Sequence, residues 1–560
     1  MADNLNLSFP SHDQGERAVR ALETMAANGA TNAASLDAIM GALLDGTNTT
    51  RIFWAWLPQA QALSTEATKY QLLSRFADML ALAWKGKTYT VRKYNAEVSS
   101  DTAMTPLDDL AGKSAALLCT DADTAADDWH DEDPMFWYIR ANALSLADGT
   151  MNVLAIEGEA AFDITGETAP VYAFSLALWR KVWDDGQYRF KSWRTAAGGG
   201  FRPYPGDVAP DNTKRALTWH PVFGGGLAAG GGLTSGAGKA PYINAGATTG
   251  LTKARITSAY EGLWNDCDTE WLLDEWQFRH YNTENSGIAE GCTSYNLEYT
   301  PALAETGVKR VLLTVAQAGN ILLRSTLQIS ASSRGGTVTA FGQVARKETV
   351  TVEGTEYGAV YLDVAETFDT TTELHVATMP WYSGETEHLP GHADGCNVSL
   401  TAGKTPLRVA GVEVLDGAYA LGLDPLYNVT ANAESGFDYQ VFQCRDSVNL
   451  AGSVTSNYEN TGITYTGMAS GWNYVKEFAL NLLGIVFPSL LGGASNTYYK
   501  SAAYGTASAG VRCPWRFGGL STGGTAGLAY ETLNDSPGRA DWNGRPRLSG
   551  SGKKRGEWAA

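Results

Sequence analysis

Apolar residues recur at helical spacing in two stretches near the start of the chain. Over residues 14–46 they fall on two successive helix faces, and over residues 65–85 they recur every three or four positions up to Gly86, where a helix is expected to end. The sequence therefore predicts two amphipathic helices, which fit assembly between subunits and a small core equally well. The residues that carry the two patterns are Ala18, Leu22, Met25, Leu36, Ile39, Met40, Leu43 and Leu44, then Tyr70, Leu73, Phe76, Leu80 and Trp84.

From residue 87 onward the pattern changes to the two-residue alternation of β-strands. In residues 87–195 the segment TYTVRKY alternates, and Asp185-Gly186 marks a hairpin between two aromatic runs. Residues 300–380 alternate more strongly, over VKRVLLTVAQ, NILLRSTLQIS, GTVTAFGQVARKETVTV, GAVYLDV and TELHVATM. Closely spaced strands of this kind predict an antiparallel sandwich or barrel. Its expected role is that of a spacer.

A further helix is expected between these two β-rich parts. Asp268 is placed to cap it, and the helix would extend to about Tyr281. Its apolar face would consist of Trp271, Leu272, Trp276 and Phe278. A Trp-rich stripe at helical spacing is more typical of a core than of a binding surface.

Residues 196–250 are rich in glycine, with AAGGGF followed by FGGGLAAGGGLTSGAGKAP. Gly238 and Lys239 resemble the end of a phosphate-binding loop, but Leu233 stands where the loop needs its first glycine. Ala240 stands where Ser or Thr would bind magnesium. The segment is therefore interpreted as a flexible linker or a close-packed glycine loop at a domain boundary.

These patterns predict a multidomain α+β protein. We expect a mixed helical and β region over residues 1–195, a glycine-rich linker over 196–250, and a helix with an antiparallel, sandwich-like β domain over 251–395. A C-terminal domain over residues 400–549 and a basic tail over 550–560 follow.

Composition narrows the classes of function. Hydrophobic residues make up 44% of the chain and charged residues 18%, which permits large cores and argues against wholesale disorder. The net charge of −18 disfavours a general role in binding nucleic acid. The last fifty residues differ, because they hold eight Lys or Arg and only four acids. This basic segment fits an anionic cell surface, and for the last ten residues a solubilising tail fits equally well.

The sequence predicts neither secretion by a signal peptide nor insertion into a membrane. The N-terminal segment MADNLNLSFPSHDQ lacks a basic and then an apolar region. The longest apolar stretch, residues 478–491, is interrupted by polar residues and is too short to span a membrane.

Candidate metal ligands are present but poorly arranged. In the acidic segment 120–134, Ala126 stands where an EF-hand needs glycine, which favours a solvated loop over a calcium site. In GETEHLPGHADGC, residues 384–396, a Pro-Gly pair separates His388 from His392 and forbids a shared helix face, which favours an ordinary loop over a zinc site. The six cysteines show no CxxC and are expected to be free, buried thiols. No cofactor is expected, although structural calcium or zinc stays open.

The C-terminal segment WRFGGLSTGGTAGLAYETLNDSPGRADWNGRPRLS, residues 515–549, alternates anchors with small or polar residues. Its glycines suit tight turns, and its large apolar residues suit a core. The expected scaffold consists of Trp515, Gly518, Gly519, Gly527, Leu528, Tyr530, Leu533, Trp542, Asn543 and Leu548.

The pattern GG…G…AGL.Y..LN..P….WN…RLS resembles the C-terminal signature of C-type-lectin-like domains in phage receptor-binding proteins, such as the variable proteins diversified by diversity-generating retroelements. A weaker resemblance reaches back to about Leu407. Together the two resemblances imply a C-type-lectin-like α/β domain, with LRVAGVEVLDGAYAL as its opening strand and a helix over residues 472–483. The chain departs from the family at Gly544–Pro546, where relatives often carry Ile-Gly-Ala.

In the resembled family, the diversified side chains lie between the scaffold residues. The resemblance therefore implies an exposed receptor-binding face in which aromatic and Arg groups supply most of the binding energy. On this sequence the face would consist of Leu520, Ser521, Thr522, Thr525, Ala529, Glu531, Thr532, Asp535, Gly538, Arg539, Ala540, Asp541, Gly544 and Arg545.

The function that the resemblance implies is attachment of a phage virion to the host bacterial surface. The expected partners are a host receptor, either protein or glycan, and other virion proteins. Copies of the chain are also expected to assemble, as a trimer by family resemblance, since multivalency raises avidity without new contacts. Residues 1–195 would attach to the virion or oligomerise, and the protein would be made in the host cytoplasm and reside in the virion.

Two enzyme classes and a structural role are the alternatives. Formylglycine-generating enzymes share the lectin-like fold, but their chemistry needs a closely spaced C-terminal cysteine pair, and here Cys513 is the only cysteine after Cys444. A tail-associated glycan hydrolase needs two carboxylates that face a sugar. The chain has 60 Asp and Glu residues, so candidate pairs are unavoidable and the sequence neither supports nor excludes this activity. The third alternative is a purely structural virion protein. The sequence favours binding, without enzymatic activity.

Overall fold

A computed structural model describes residues 49–116, 129–130, 132–285, 295–385, 408–549 and 555–556. These residues hold far more β-strand than α-helix, and both kinds of element occur, so the α+β class is confirmed. No helix in the described ranges is long and apolar enough to cross a membrane. The α-helices in these ranges are α1 (Thr49–Leu63), α2 (Lys69–Ala83), α3 (Ala247–Thr257), α4 (Asp266–His280) and α5 (Val315–Asn320).

The first helices pack into a shared core. Helix α2 agrees with the helix predicted over residues 65–85 and begins in a capping box, because the side chain of Thr68 accepts from the backbone of Gln71. Helix α1 lies in a stretch for which no helix was predicted. Phe53 of α1 meets Phe76 of α2 with ring centroids 5.1 Å apart, and Phe76 meets Trp137 at 5.2 Å. The helix predicted over residues 14–46 lies outside the described residues.

Two antiparallel sheets and a ribbon follow the first helices. The five-stranded sheet has the order β2-β1-β7-β6-β8, and the four-stranded sheet has the order β4-β3-β5-β9. The Asp185-Gly186 hairpin predicted from the sequence joins β6 to β7. The strands are β1 (Tyr89–Tyr94), β2 (Thr105–Asp108), β3 (Tyr138–Ser145), β4 (Met151–Ile156), β5 (Val171–Leu176), β6 (Trp179–Asp184), β7 (Tyr188–Arg194), β8 (Arg202–Pro203), β9 (Leu217–Pro221), β10 (Gly225–Leu227) and β11 (Leu233–Ser235).

The glycine-rich segment 196–250 is part of the core. Its strand β9 is buried along its whole length in the four-stranded sheet. A Cβ on Gly224 would lie 2.1 Å from the carboxylate of Asp416, and one on Gly225 would lie 1.8 Å from the backbone oxygen of Pro546. The flexible-linker interpretation is therefore wrong, and the glycines allow close packing against the C-terminal part of the chain.

Residues 297–376 form a second hydrophobic core of their own. Six strands form one antiparallel sheet in the order β12-β19-β15-β16-β17-β14, and β13 pairs with β18 as a separate ribbon. The strands predicted as a sandwich or barrel thus form one six-stranded sheet and a two-stranded ribbon. The end of the predicted strand VKRVLLTVAQ forms α5, which Thr314 and Gln317 cap. The strands are β12 (Glu298–Tyr299), β13 (Glu305–Val308), β14 (Arg310–Leu313), β15 (Thr326–Ser330), β16 (Val338–Val352), β17 (Thr355–Asp363), β18 (Phe368–Thr370) and β19 (His375–Met379).

The C-terminal part contains a seven-stranded sheet in the order β27-β26-β28-β31-β30-β22-β32 and a four-stranded sheet in the order β25-β24-β23-β29. The expected opening strand is a small hairpin, β20 with β21, followed by β22. The strands are β20 (Arg408–Val409), β21 (Val412–Glu413), β22 (Tyr419–Leu421), β23 (Pro425–Ala431), β24 (Phe437–Gln443), β25 (Glu459–Met468), β26 (Gly471–Phe478), β27 (Pro488–Leu491), β28 (Ala502–Gly505), β29 (Gly510–Arg512), β30 (Trp515–Arg516), β31 (Glu531–Thr532) and β32 (Gly544–Pro546).

The helix expected over residues 472–483 is wrong. Residues 471–478 form β26, because Val475 and Glu477 are buried while Trp472 lies on the outside, which is the two-residue period of a strand. Residues 408–549 hold no α-helix, so the expected α/β character does not arise within this segment. Helix α4 contacts this segment from outside it: the N–H of Asp266 on this helix donates to the carboxylate of Asp424.

Helix α4 differs from the prediction only at its start. Asn265 caps it and Asp268 completes a capping box as the third residue, whereas the sequence placed the cap at Asp268. The helix is buried on all sides, with Trp271 and Trp276 in the main core. That core runs from Ile52 to Leu548, so one core joins residues of the N-terminal, glycine-rich and C-terminal segments.

Candidate functional site

The C-terminal signature borders an open cleft of about 240 Å³ on one face of the seven-stranded sheet. Its lining combines aromatic rings with polar side chains of both charges. The residues that line it are Tyr419, Trp472, Tyr504, Trp515, Ser521, Thr522, Tyr530, Thr532, Asn534, Asp535, Arg539, Asp541 and Asn543.

A lateral row of residues across four adjacent strands builds the floor of the cleft. Trp472 of β26 lies opposite Tyr504 of β28, and Tyr504 lies beside Thr532 of β31. Thr532 in turn lies opposite Trp515 of β30. Since directly opposed residues point to the same face of a sheet, all four side chains project into the cleft.

Aromatic side chains form one wall of the cleft. Trp472 is 48% exposed, and its ring meets that of Tyr504 edge-on at 5.3 Å and that of Tyr530 at 5.8 Å. Tyr530 and Tyr419 are buried beneath it, with centroids 5.9 Å apart. The wall is therefore supported from behind, and its exposed part is the indole of Trp472.

A tight turn at residues 518–522 fixes the side of the cleft opposite the aromatic wall. The hydroxyl of Thr522 accepts from the N–H of Gly519 at 2.9 Å and lies 2.8 Å from the hydroxyl of Tyr419. Gly518 has φ +113°, and a Cβ there would lie 2.7 Å from that of Ala526. This turn requires glycine at Gly518, because a side chain would meet both strain and a clash.

A buried charge cluster lies under the floor. The guanidinium of Arg516 is 2.6 Å from the carboxylate of Asp266 and 2.9 Å from that of Glu531. Burial raises the pKa of Glu531 to about 8, although Arg516 acts in the opposite direction. Burial likewise raises the pKa of Asp266 against the effect of Arg516. Because one guanidinium stands between two carboxyl groups, we infer that the second carboxyl holds a proton near neutral pH.

Polar side chains form the rim. Arg539 is 55% exposed at its side chain and pairs with Asp541 at 2.6 Å. The carboxylate of Asp535 accepts no hydrogen bond and makes no ion pair with any residue in the described ranges. Burial raises its pKa. The amide oxygen of Asn543 is buried and also has no hydrogen-bond partner there. Of these two acceptors, the carboxylate of Asp535 is half-buried at the rim, whereas the oxygen of Asn543 lies beneath the surface.

The structure divides the fourteen candidates for the binding face into three groups. Those that line the cleft are Ser521, Thr522, Thr532, Asp535, Arg539 and Asp541. Those that are exposed outside its lining are Gly538 and Ala540. Those that are buried away from it are Leu520, Thr525, Ala529, Glu531, Gly544 and Arg545. The expected exposure is wrong for these six and also for Thr522 and Thr532, which border the cleft but are buried.

Arg545 shows why that expectation fails. Its guanidinium is buried and pairs with Asp416 at 2.7 Å. It also donates to the hydroxyl of Ser383 and to the carbonyl oxygens of Gly224, Gly225 and Trp381. The side chain joins β32 to the glycine-rich segment and to the end of the middle part. Sequence position alone did not distinguish such an internal clamp from a surface arginine.

Most of the expected scaffold is buried, and two of its members are not. The buried members are Trp515, Gly518, Gly519, Gly527, Leu528, Tyr530, Leu533 and Leu548. Trp542 and Asn543 are half-buried. The guanidinium of Arg334 from the middle part lies 4.6 Å from the centre of the Trp542 ring. Trp542 therefore packs at a junction between two parts of the chain.

Sequence reasoning missed Tyr419, Trp472, Tyr504 and Asn534 as residues of the cleft. Trp472 carried a usable signal, because GWNYVKEF alternates, and strand alternation places its indole on the outer face. Tyr419 and Tyr504 reach the site only through strand pairing across the sheet, and no local pattern shows that pairing.

A triad-like array lies elsewhere in the core. The hydroxyl of Thr218 is 3.2 Å from Nε2 of His220, whose Nδ1 is 2.9 Å from the carboxylate of Asp268. All three side chains are buried, with Thr218 only 5% exposed. The hydroxyl of Ser549 also donates to Asp268 at 2.8 Å. These contacts satisfy buried polar groups and fasten α4 to its neighbours.

The other chemical candidates are only partly described. No cluster of three or more metal-binding side chains occurs within the described ranges. Most of the acidic segment 120–134 and most of segment 384–396 lie outside those ranges; Glu385 pairs with Arg324. Cys267, Cys444 and Cys513 are free and buried, as expected. Burial raises the pKa of the Cys267 thiol to about 12, which leaves it protonated and unreactive near neutral pH.

Neither a protein-family model nor a curated protein matches the chain.

Proposed function

We propose that this protein is a phage receptor-binding protein that attaches the virion to its bacterial host through the cleft. The proposal rests on one observation above the others. Six residues that the family resemblance marks as variable converge on one cleft with an exposed tryptophan. Exposed aromatic groups next to adaptable polar groups are typical of a surface that binds another molecule.

The support beneath the cleft fits a display surface. The buried cluster of Arg516, Asp266 and Glu531 ties the floor to α4, and the Thr522 turn fixes the opposite side. Rim residues such as Ser521 and Asn534 are exposed and replaceable at little cost in stability. In this proposal the C-type-lectin-like domain consists of residues 408–549 together with α4. The diversified positions are the candidates of the cleft that are not buried, namely Ser521, Asp535, Arg539 and Asp541, while Thr522 belongs to the supporting turn.

A steric block tests the proposal. Ser521→Trp places a large side chain at the exposed rim of the cleft, and Ser435→Trp places the same side chain on an exposed turn away from the cleft lining. We expect Ser521→Trp to abolish saturable attachment to cells that bind the parent protein, and Ser435→Trp to leave it unchanged. Normal attachment of a folded Ser521→Trp variant would refute the role of the cleft.

The same proposal includes assembly and location in the virion. Because a single cleft of this size offers limited affinity, several copies acting together would hold the host more firmly. We propose a homotrimer, with contacts to other virion proteins made by the N-terminal region. Light scattering of the full chain tests the trimer, and labelling of purified virions with an antibody against the protein tests its location.

A further inference from the structure

The unused polar groups of the cleft share one chemical character. The carboxylate of Asp535 and the amide oxygen of Asn543 are both hydrogen-bond acceptors without a partner among the described residues. Asp535 is also partly removed from water, and burial raises its pKa. A desolvated carboxylate is stabilised by a cation, and an unpaired buried acceptor is stabilised by a donor. A group that is positive and donates hydrogen bonds therefore suits Asp535.

The charge of the lining points the same way. Asp535, Asp541 and Arg539 are its charged members, which leaves one negative charge in excess. Arg539 pairs with Asp541 at 2.6 Å, and at longer range its charge also lowers the pKa of Asp535, so one guanidinium is shared between two carboxylates. A cation entering the cleft would therefore meet one carboxylate without an ion-pair partner in the described ranges.

The aromatic wall completes the environment. Trp472 and Tyr504 stand almost perpendicular, with an interplanar angle of 87°, and form a corner beside the rim. Ammonium groups are attracted to the faces of Trp and Tyr rings, and the methylene groups next to them pack on the same rings. Such a corner next to an unpaired carboxylate suits the end of a flexible aliphatic amine.

We infer that the cleft recognises an alkylammonium group on the receptor, with Asp535 pairing the charge and Trp472 covering the adjoining methylene groups. The inference rests on the proposed function, because it specifies what the same cleft binds. The ammonium comes either from a lysine side chain or from an amino sugar. The chemistry at the cleft is shared, so the two sources are separated by experiment.

The test is a titration of the full chain, without cells, by calorimetry and tryptophan fluorescence. The probes are n-butylammonium and its neutral counterpart 1-butanol. We expect butylammonium to bind at least about tenfold more tightly than the alcohol. Asp535→Asn should remove that preference, whereas Glu366→Gln, which removes one negative charge from an exposed site outside the cleft, should keep it. Trp472→Ala should weaken both probes. Because Asp535 makes no hydrogen bond through its carboxylate among the described residues, its substitution is expected to leave folding intact.

Two further probes distinguish a lysine side chain from an amino sugar as the source of the ammonium. Nα-acetyl-lysine methylamide binding more tightly than methyl glucosaminide assigns the ammonium to a lysine, and the reverse order assigns it to an amino sugar. Equal binding of amine and alcohol, or an undiminished preference in Asp535→Asn, overturns the inference. The titration needs no host cell. If it shows no preference for the amine, the ammonium inference fails, and the cell-attachment experiment still tests the proposed function independently.

Discussion

Replacement of Arg545 by methionine tests whether the C-terminal segment folds as described. The substitution keeps an unbranched, largely apolar stem of similar length to the aliphatic part of arginine and removes the buried guanidinium. The carboxylate of Asp416, 2.7 Å away and 7% exposed, would lose its ion pair. Three backbone carbonyl groups and one hydroxyl would lose donors at the same time. Breaking a buried ion pair by removing one partner costs about 3–5 kcal/mol, so we expect a loss of that size in the free energy of unfolding.

The chain offers a matched control for this change. Arg539→Met removes the same group from a side chain that is 55% exposed and pairs with Asp541. Exposed ion pairs contribute about 0–1 kcal/mol, so this variant should unfold almost like the parent protein. Urea unfolding followed by tryptophan fluorescence measures both variants. If Arg545→Met also changes the free energy of unfolding by less than about 0.5 kcal/mol, Arg545 is a surface residue and the packing described for β32 is wrong.

Three further predictions concern pH and packing. Burial raises the pKa of Glu531 to about 8 and that of Asp424 to about 7, so the folded state holds protons that the unfolded chain releases at lower pH. Stability should therefore fall between about pH 5 and about pH 9, and Glu531→Gln should flatten that fall in thermal melts; an unchanged slope would contradict this. Trp542→Ala should cost only about 1–2 kcal/mol in urea unfolding, since the ring is half-buried under Arg334; global unfolding would instead make it an anchor. Butylammonium affinity should weaken as the pH falls through the raised pKa of Asp535, because protonation removes the carboxylate charge; affinity independent of pH would exclude that role.

Local patterns in the sequence predicted local structure well. The spacing that ends at Gly86 indicated α2, and the Asp185-Gly186 turn indicated the hairpin between β6 and β7. Helix α4 was found as well, although its cap was misplaced by three residues, because Asn265 and Asp268 act together in a capping box. In each case the decisive interactions lie within a few residues of one another.

The structural predictions failed where contacts between distant parts of the chain determine the local structure. Strand β26 has enough aliphatic and aromatic residues for a helix, but pairing with β27 and β28 makes it a strand. The glycines near Gly224 suggested flexibility, whereas the Arg545 clamp requires their small size. β27 follows β26 closely, but Gly471 of β26 pairs with Gly505 of β28, 34 residues on, and Gly224 lies 321 residues from Arg545.

The cleft was predicted in part for the same reason. Residues such as Ser521 and Asp535 lie between anchors and were marked by the family resemblance, which also marked Glu531 and Arg545 without separating surface from core. That separation depends on which residues face Arg516 and Asp416 across the fold. A single sequence does not contain that information in local form.

Attachment of a Trp472→Ala variant to host cells tests the central claim most directly. Trp472 is 48% exposed on the outer face of β26, so its truncation should leave the melting temperature close to that of the parent protein. Loss of a central aromatic contact costs ~2 kcal/mol or more of binding energy, which corresponds to a dissociation constant raised by about thirtyfold per site. An equilibrium binding curve on cells that bind the parent measures this. We predict a folded protein with that loss of affinity, and a folded variant that binds within about twofold of the parent would contradict the assignment of the cleft as the receptor site.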